Sequence, residues 1–267
     1  MRFAGISIAI FLMVGSAAVA GPAAHAGPGS FVRTQCEALF GTNASANGGT
    51  SVWNYLRRKR LLVNQNSIPG RDGLCGPTCL TNAIQFLRVS EGLAPYRQPQ
   101  AKFRNLVANG IADKGVGGSI PSFLKHLSEA LAENDGLSSK LVRFQVLKGI
   151  ATEEMLQRPE VIEAGELSLN DLSSGQGEVK MLISISLDKD ENVTEQHIQI
   201  VESFDGKTIS LVEPNAPNAH MELQAGTHFD DVNGILVPRL SYVVSARTWR
   251  LRNDSFVPIG ILTISNR

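Results

Sequence analysis

Along residues 75 to 88, CGPTCLTNAIQFLR, apolar positions recur at Cys79, Leu80, Ala83, Ile84 and Leu87. That three-and-four spacing predicts a helix with one buried face, beginning at Cys75. Gly76 lets the backbone enter tightly, and Pro77 fits a first turn, where its missing N–H costs the helix nothing. Two further helical periods follow, at 98 to 110 (QPQAKFRNLVANG) and 119 to 133 (SIPSFLKHLSEALAE), the second with Ser119 at its N-cap position and Pro121 in its first turn. Residues 51 to 63 (SVWNYLRRKRLLV) fit either a helix or a short strand, and the turn formers of NQNSIPGRDG then make a loop leading to Cys75.

From Leu141 the pattern changes. LVRFQVL predicts a strand and TEEMLQRPEVIEAG a short, interrupted helix. Strands follow at 178 to 187, 196 to 204 and 207 to 213, separated by DKDEN and by Asp205-Gly206, and more strand material lies at 235 to 251 and 256 to 264. Helices first and strands after predict an α+β domain, its helical part packed on a C-terminal antiparallel β-sheet.

The N-terminus changes the picture of where the chain works. Residues 1 to 20 carry Arg2, an apolar block from Ile6 to Val14 and then small residues, the pattern of a secretory signal peptide cleaved after Ala20, or as late as Ala26. Residues 21 to 50, rich in Gly, Ala, Ser and Asn, fit a flexible leader, and 51 to 267 the domain itself. The expected protein is secreted or periplasmic, without stable membrane insertion after cleavage. Lys plus Arg and Asp plus Glu both number 25, so no dedicated nucleic-acid surface is expected. The one basic run, Arg57 to Arg60, fits a solvated face better than a processing site.

Export also permits disulfides, yet the mature chain would hold an odd number of cysteines: Cys36, Cys75 and Cys79. Cys75 and Cys79 lie one helical turn apart with near-parallel side chains, poor geometry for a bond between them. Pairing Cys36 with Cys79 leaves Cys75 free, at a helix start whose dipole favours the nucleophilic thiolate.

A cysteine nucleophile needs a base and a group to orient that base. Of the histidines beyond the leader, His126 is expected to be structural, without an acidic partner at helical spacing, and His228 with Asp230 and Asp231 lacks the second cluster that a metal site requires. His197 stands at the mouth of a strand, and the next strand returns to Glu213-Pro214-Asn215. A turn that pairs Ser203 with Lys207 puts His197 opposite Glu213 on one face. A two-residue turn at Asp205-Gly206 turns the histidine away, and a bulge would reconcile the two.

GLCGPTCLTNAIQFL resembles the nucleophile helix of papain-like cysteine peptidases of the C39-like group. QHIQIVESFDGKTISLVEPN is similar to that group's histidine strand, turn and closing acidic-Pro, and Gln65 in LLVNQNSIPG resembles its oxyanion-hole glutamine. The likeness is confined mainly to residues 61 to 90 and 178 to 216. It implies a papain-like fold, with Cys75 as nucleophile, His197 as general base and then acid, and Glu213 orienting the imidazole. Gln65 would share the oxyanion with the backbone N–H of Cys75. The group usually has Asp where Glu213 stands, and Asn215 is the alternative third member.

The expectation is an exported cysteine peptidase or amide hydrolase acting on a peptide or protein through a thioester, with neither metal nor cofactor. An idle papain-like domain that binds peptide or protein, and a transglutaminase-like acyltransferase, would use the same residues.

Overall fold

The computed structural model describes residues 48–68, 73–108, 120–133, 137, 140–175, 177–187, 190, 193–244 and 255–265. The signal peptide, the leader and Cys36 therefore lie outside the described residues, as does Ser119.

Helix α1 (Gly48–Arg58) settles the open choice at 51 to 63 in favour of a helix. Helices α2 (Cys75–Ser90), α3 (Pro99–Leu106) and α4 (Ile120–Ala132) form where the period predicts them. The stretch expected as one interrupted helix instead gives the four-residue α5 (Glu153–Leu156) and a strand, β2 (Val161–Ala164). The remaining strands are β1 (Leu141–Leu147), β3 (Val179–Leu187), β4 (Val193–Phe204), β5 (Thr208–Val212), β6 (Met221–Val232), β7 (Ile235–Val244) and β8 (Ser255–Ser265). The sequence pattern gives no sign of β6, whose middle, Ala225 to Asp230, is exposed or half-buried and lacks clean alternation.

The expected papain-like layer of helices on an open antiparallel sheet is corrected by the strand order, β2-β1-β8-β3-β4-β5-β6-β7 with a further pairing of β8 to β7. That last pairing, Leu240 with Phe256 and Ser241 with Ser255, closes β3 to β8 into a six-stranded antiparallel barrel. β1 and β2 extend from it, β1 antiparallel to β8 and β2 parallel to β1. The protein is mostly β. Closure rests on β8 pairing with both β7 and β3, a choice of partners on which hydrophobic alternation carries no signal.

Two bulges decide which side chains enter the barrel. Near the β4–β5 turn Phe204 pairs with Ile209, but at Glu202 β4 carries one extra residue and then pairs Val201 with Leu211 and Ile200 with Val212. A comparable shift in β8, around Ile259, lies between the pairs Ile183–Gly260 and Ser184–Pro258. A bulge flips the alternation on its strand. Phe204, Val201, Ile209, Leu211, Met221, Leu223, Leu240, Phe256 and Ile261 thus collect in the barrel, while Ile198, Ile200, Val212, Val257 and Ile259 face the helices. β1 crosses β8 where a Cβ on Gly260 would come within 2.7 Å of the Phe144 ring.

Arg57 is not on a solvated face. Its guanidinium meets Glu202 at the bulge in two bonds of 2.8 and 2.6 Å and also donates to the Pro217 carbonyl at 3.2 Å. The two side chains are 15% and 6% exposed, so removing either strands a largely buried charge. Arg57→Met or Glu202→Leu alone is expected to cost about 3–5 kcal/mol in denaturant unfolding, and the double variant to recover most of that.

Candidate active site

The candidate site forms where β4 and β5 part. Their pairing runs as far as Ile200–Val212, and extending its register places Gln199 opposite Glu213 and His197 diagonally from it on the same face. His197 and Glu213 thus share a face through the bulge, with a register that neither turn predicts. His197 lies inside the twelve-residue β4 rather than at a strand mouth.

His197 Nε2 is 3.0 Å from Glu213 Oε1, with both residues buried. The Cys75 thiol makes a hydrogen bond with the same imidazole. Cys75 is the first residue of α2, follows Leu74 with no side-chain cap, and is half-buried. An uncapped helix start leaves backbone N–H groups turned towards whatever the sulfur attacks. Gly76 packs closely: a Cβ there would lie 3.2 Å from the Phe123 ring, which would have to give by a few tenths of an ångström, and 3.6 Å from Ile198.

The electrostatics favour charge on both members of the pair. Burial alone disfavours the imidazolium, but the Glu213 carboxylate and hydrogen bonds to Cys75 and Glu213 outweigh it and hold His197 well above its ordinary value of 6.5. Burial likewise opposes the Glu213 anion, and the His197 charge with hydrogen bonds from His197, Gln199 and Tyr242 overcomes it, holding the carboxyl below 4.5.

Of the two candidates for third member, Glu213 touches the histidine. Asn215 stands behind it, its backbone and side-chain nitrogens 3.4 and 3.3 Å from Glu213 Oε1. Gln65 reaches the same group: its amide donates to Asn215 Oδ1, and its backbone N–H bonds the Pro214 carbonyl at 2.9 Å. The chain just before Gln65 is held against α2 by amide side chains. Asn82 accepts from Val63 N–H at 2.8 Å and donates to its carbonyl at 3.1 Å, and Gln85 reaches Leu61 and Tyr96. Thr78, Asn82 and Gln85 repeat at helical spacing among apolar neighbours, a polar stripe that the sequence displays and apolar periodicity passes over.

Cys36, the expected disulfide partner of Cys79, lies outside the described residues, and Cys79 is a fully buried thiol whose Sγ donates to the Ile198 carbonyl at 3.2 Å. That bond docks α2 one turn beyond Cys75 onto the residue following His197. Burial, followed by the nearby Cys75 and Glu213, pushes the Cys79 thiol up, so it stays protonated.

His126 does have an acidic partner at helical spacing, Glu129 at 3.1 Å. Asp230 is claimed by Arg239, with His228 3.7 Å away, and no cluster of three metal-ligating side chains occurs among the described residues. Two site residues went unnoticed in the sequence. Gln199 donates to Glu213 Oε2 at 2.7 Å and Tyr242 donates to the same oxygen at 2.9 Å. Gln199 lies two residues past His197, the spacing of one strand face, whereas Tyr242 arrives only through barrel closure.

No protein-family model matches this chain, and no curated protein or solved structure shows detectable similarity to it.

The ion pair gives stability a pH window. The raised His197 contributes fully below 6.5 and loses its contribution as pH rises through its higher folded value. The lowered Glu213 contributes fully above 4.5 and loses its contribution as pH falls through its lower folded value. Urea midpoints of wild type relative to Glu213→Gln should therefore differ most between those two pH values and converge on either side. In Glu213→Gln protein, the His197 imidazole should titrate at lower pH by NMR, because burial then meets less opposition.

Proposed function

We propose that the protein is a cysteine hydrolase cleaving a peptide or amide bond with a Cys75–His197–Glu213 triad. The observation that carries this reading is the chain of contacts from thiol to imidazole to buried carboxylate. The resemblance of residues 61 to 90 and 178 to 216 to C39-like peptidases supports it. The proposal concerns chemistry rather than papain-like architecture, since such constellations recur on unrelated folds.

The Cys75 thiolate attacks the carbonyl carbon, and the tetrahedral oxyanion is met by the N–H groups at the start of α2. Gln65 completes the hole, its amide carrying a second N–H besides the one given to Asn215. His197 then protonates the leaving amine, which departs as the thioester forms. The neutral imidazole takes a proton from water, hydroxide adds to the thioester, and collapse releases the acid and expels the thiolate beside the re-formed imidazolium. Glu213 stays ionised and keeps the ring orientated. An amine in place of water would make the same site an acyltransferase. The signal-peptide pattern points to action outside the cytosol, and among the described residues no helix is long and apolar enough to cross a membrane.

Cys75→Ala and His197→Ala should each lower kcat/KM on a peptide-library substrate by at least about 10²–10⁴-fold. Iodoacetamide should label wild-type Cys75 at mildly acidic pH, with the adduct mapped by mass spectrometry, and His197→Ala should abolish that labelling. An ordinary thiol profile in wild type would refute the activated pair.

A further inference from the structure

Glu213 is fully buried, and the donors around it arrive in a fixed order. Gln199 Nε2 lies 2.7 Å from Glu213 Oε2 and 2.9 Å from the Tyr242 hydroxyl, and that hydroxyl lies 2.9 Å from the same Oε2. Because the amide nitrogen only donates, the Tyr242 oxygen accepts from it and the Tyr242 O–H must point at the carboxylate. The amide cannot be turned over without setting its carbonyl oxygen against Oε2. Oε2 therefore receives two protons from neutral donors and has no room for one of its own. Oε1 remains for His197, with the longer contacts from Asn215 behind it.

The two donors come from strands that are not neighbours, β4 and β7, and they meet only across the closed barrel. Phe256 on β8 holds the arrangement from one side. It packs edge-on against Tyr242 with centroids 5.2 Å apart and stacks on the His197 ring at 5.9 Å.

We propose that Gln199 and Tyr242 are positioning residues: they hold the Glu213 carboxylate aimed at His197, so that the imidazole is kept in place beside the Cys75 sulfur. This deepens the cysteine-hydrolase reading and rests on its Cys75–His197 pair. Neither residue touches the sulfur or the substrate carbonyl; both act through Glu213. Hydrogen bonds to a charged group are among the stronger ones in proteins, so losing either donor should be felt at the thiol.

The test uses the full chain with Tyr242→Phe, Gln199→Leu and each of these in a Glu213→Gln background. Two readouts are followed: the pH profile of Cys75 alkylation by iodoacetamide and the NMR titration of the His197 imidazole. Each single variant should move the imidazole titration to lower pH and slow alkylation at mildly acidic pH about tenfold. With Glu213→Gln already present, neither should cause any further change. A folded Tyr242→Phe protein with wild-type profiles would overturn the proposal, as would an equal effect with and without Glu213. Tyr242→Phe removes a single hydroxyl and carries the test should Gln199→Leu fail to fold. Wild-type protein that shows the shifts yet cleaves no peptide would sink the hydrolase and leave the positioning roles standing. Peptide cleavage with profiles unmoved by the variants would do the reverse.

Discussion

The ion pair of Arg57 and Glu202 sits at the extra residue of β4, and the orientation of the candidate site depends on that residue. Without the bulge, the alternation that sends Phe204 into the barrel would send Ile198 and Ile200 inside as well. His197 and Gln199 would then point towards the helices. With it, the strand changes phase between Phe204 and Val201, the apolar residues beyond the bulge turn to the helix layer, and the polar ones enter the barrel. A bulge is a locally unfavourable choice that leaves a residue out of the ladder. Here α1 supplies the compensation, with Arg57 binding the carboxylate of the unpaired residue.

That arrangement explains how an apolar barrel tolerates a histidine, a glutamine and a glutamate. Buried charge is costly unless paired and hydrogen-bonded. Glu213 meets both conditions, because the opposite charge and every donor converge on it from β4, from β7 and from the Asn215 turn. The site's polarity is thus concentrated on one carboxylate. Around it lie apolar residues, Leu182, Leu211, Met221, Leu223 and Ile261 among them, with the buried Ser184 and Ser186 of β3 as further polar groups.

How much of this could be read from the sequence follows the range of the forces involved. The helices α2, α3 and α4 and the strands β1, β3, β4, β5, β7 and β8 all left periodic traces, because each buries a face of its own. The site residues Cys75, His197 and Glu213 were legible for a similar reason, as a thiol at a helix start and a hairpin returning to an acid. What failed was the pairing of one element with another. The closing pair Leu240–Phe256 turns an expected sheet into a barrel, and Tyr242 joins the site only as a result. Arg57 read as solvated because its partner is far away in sequence, at Glu202. The β4–β5 register was ambiguous because a bulge has no composition of its own. The bond from Cys79 to the Ile198 carbonyl, which docks α2 on β4, has no trace in a count of thiols.

The contact at Gly260 has a consequence for how this sequence can change over time. β1 lies against β8 with the Phe144 ring where a side chain at 260 would have to be. Neither position can drift alone: any larger residue at 260 must come with a smaller one at 144, and the two should be inherited as a pair. The outer strands are thereby bound to the same strand, β8, that closes the barrel and carries Phe256 to the candidate site. Selection on that chemistry would reach as far as a glycine and a phenylalanine that never approach it.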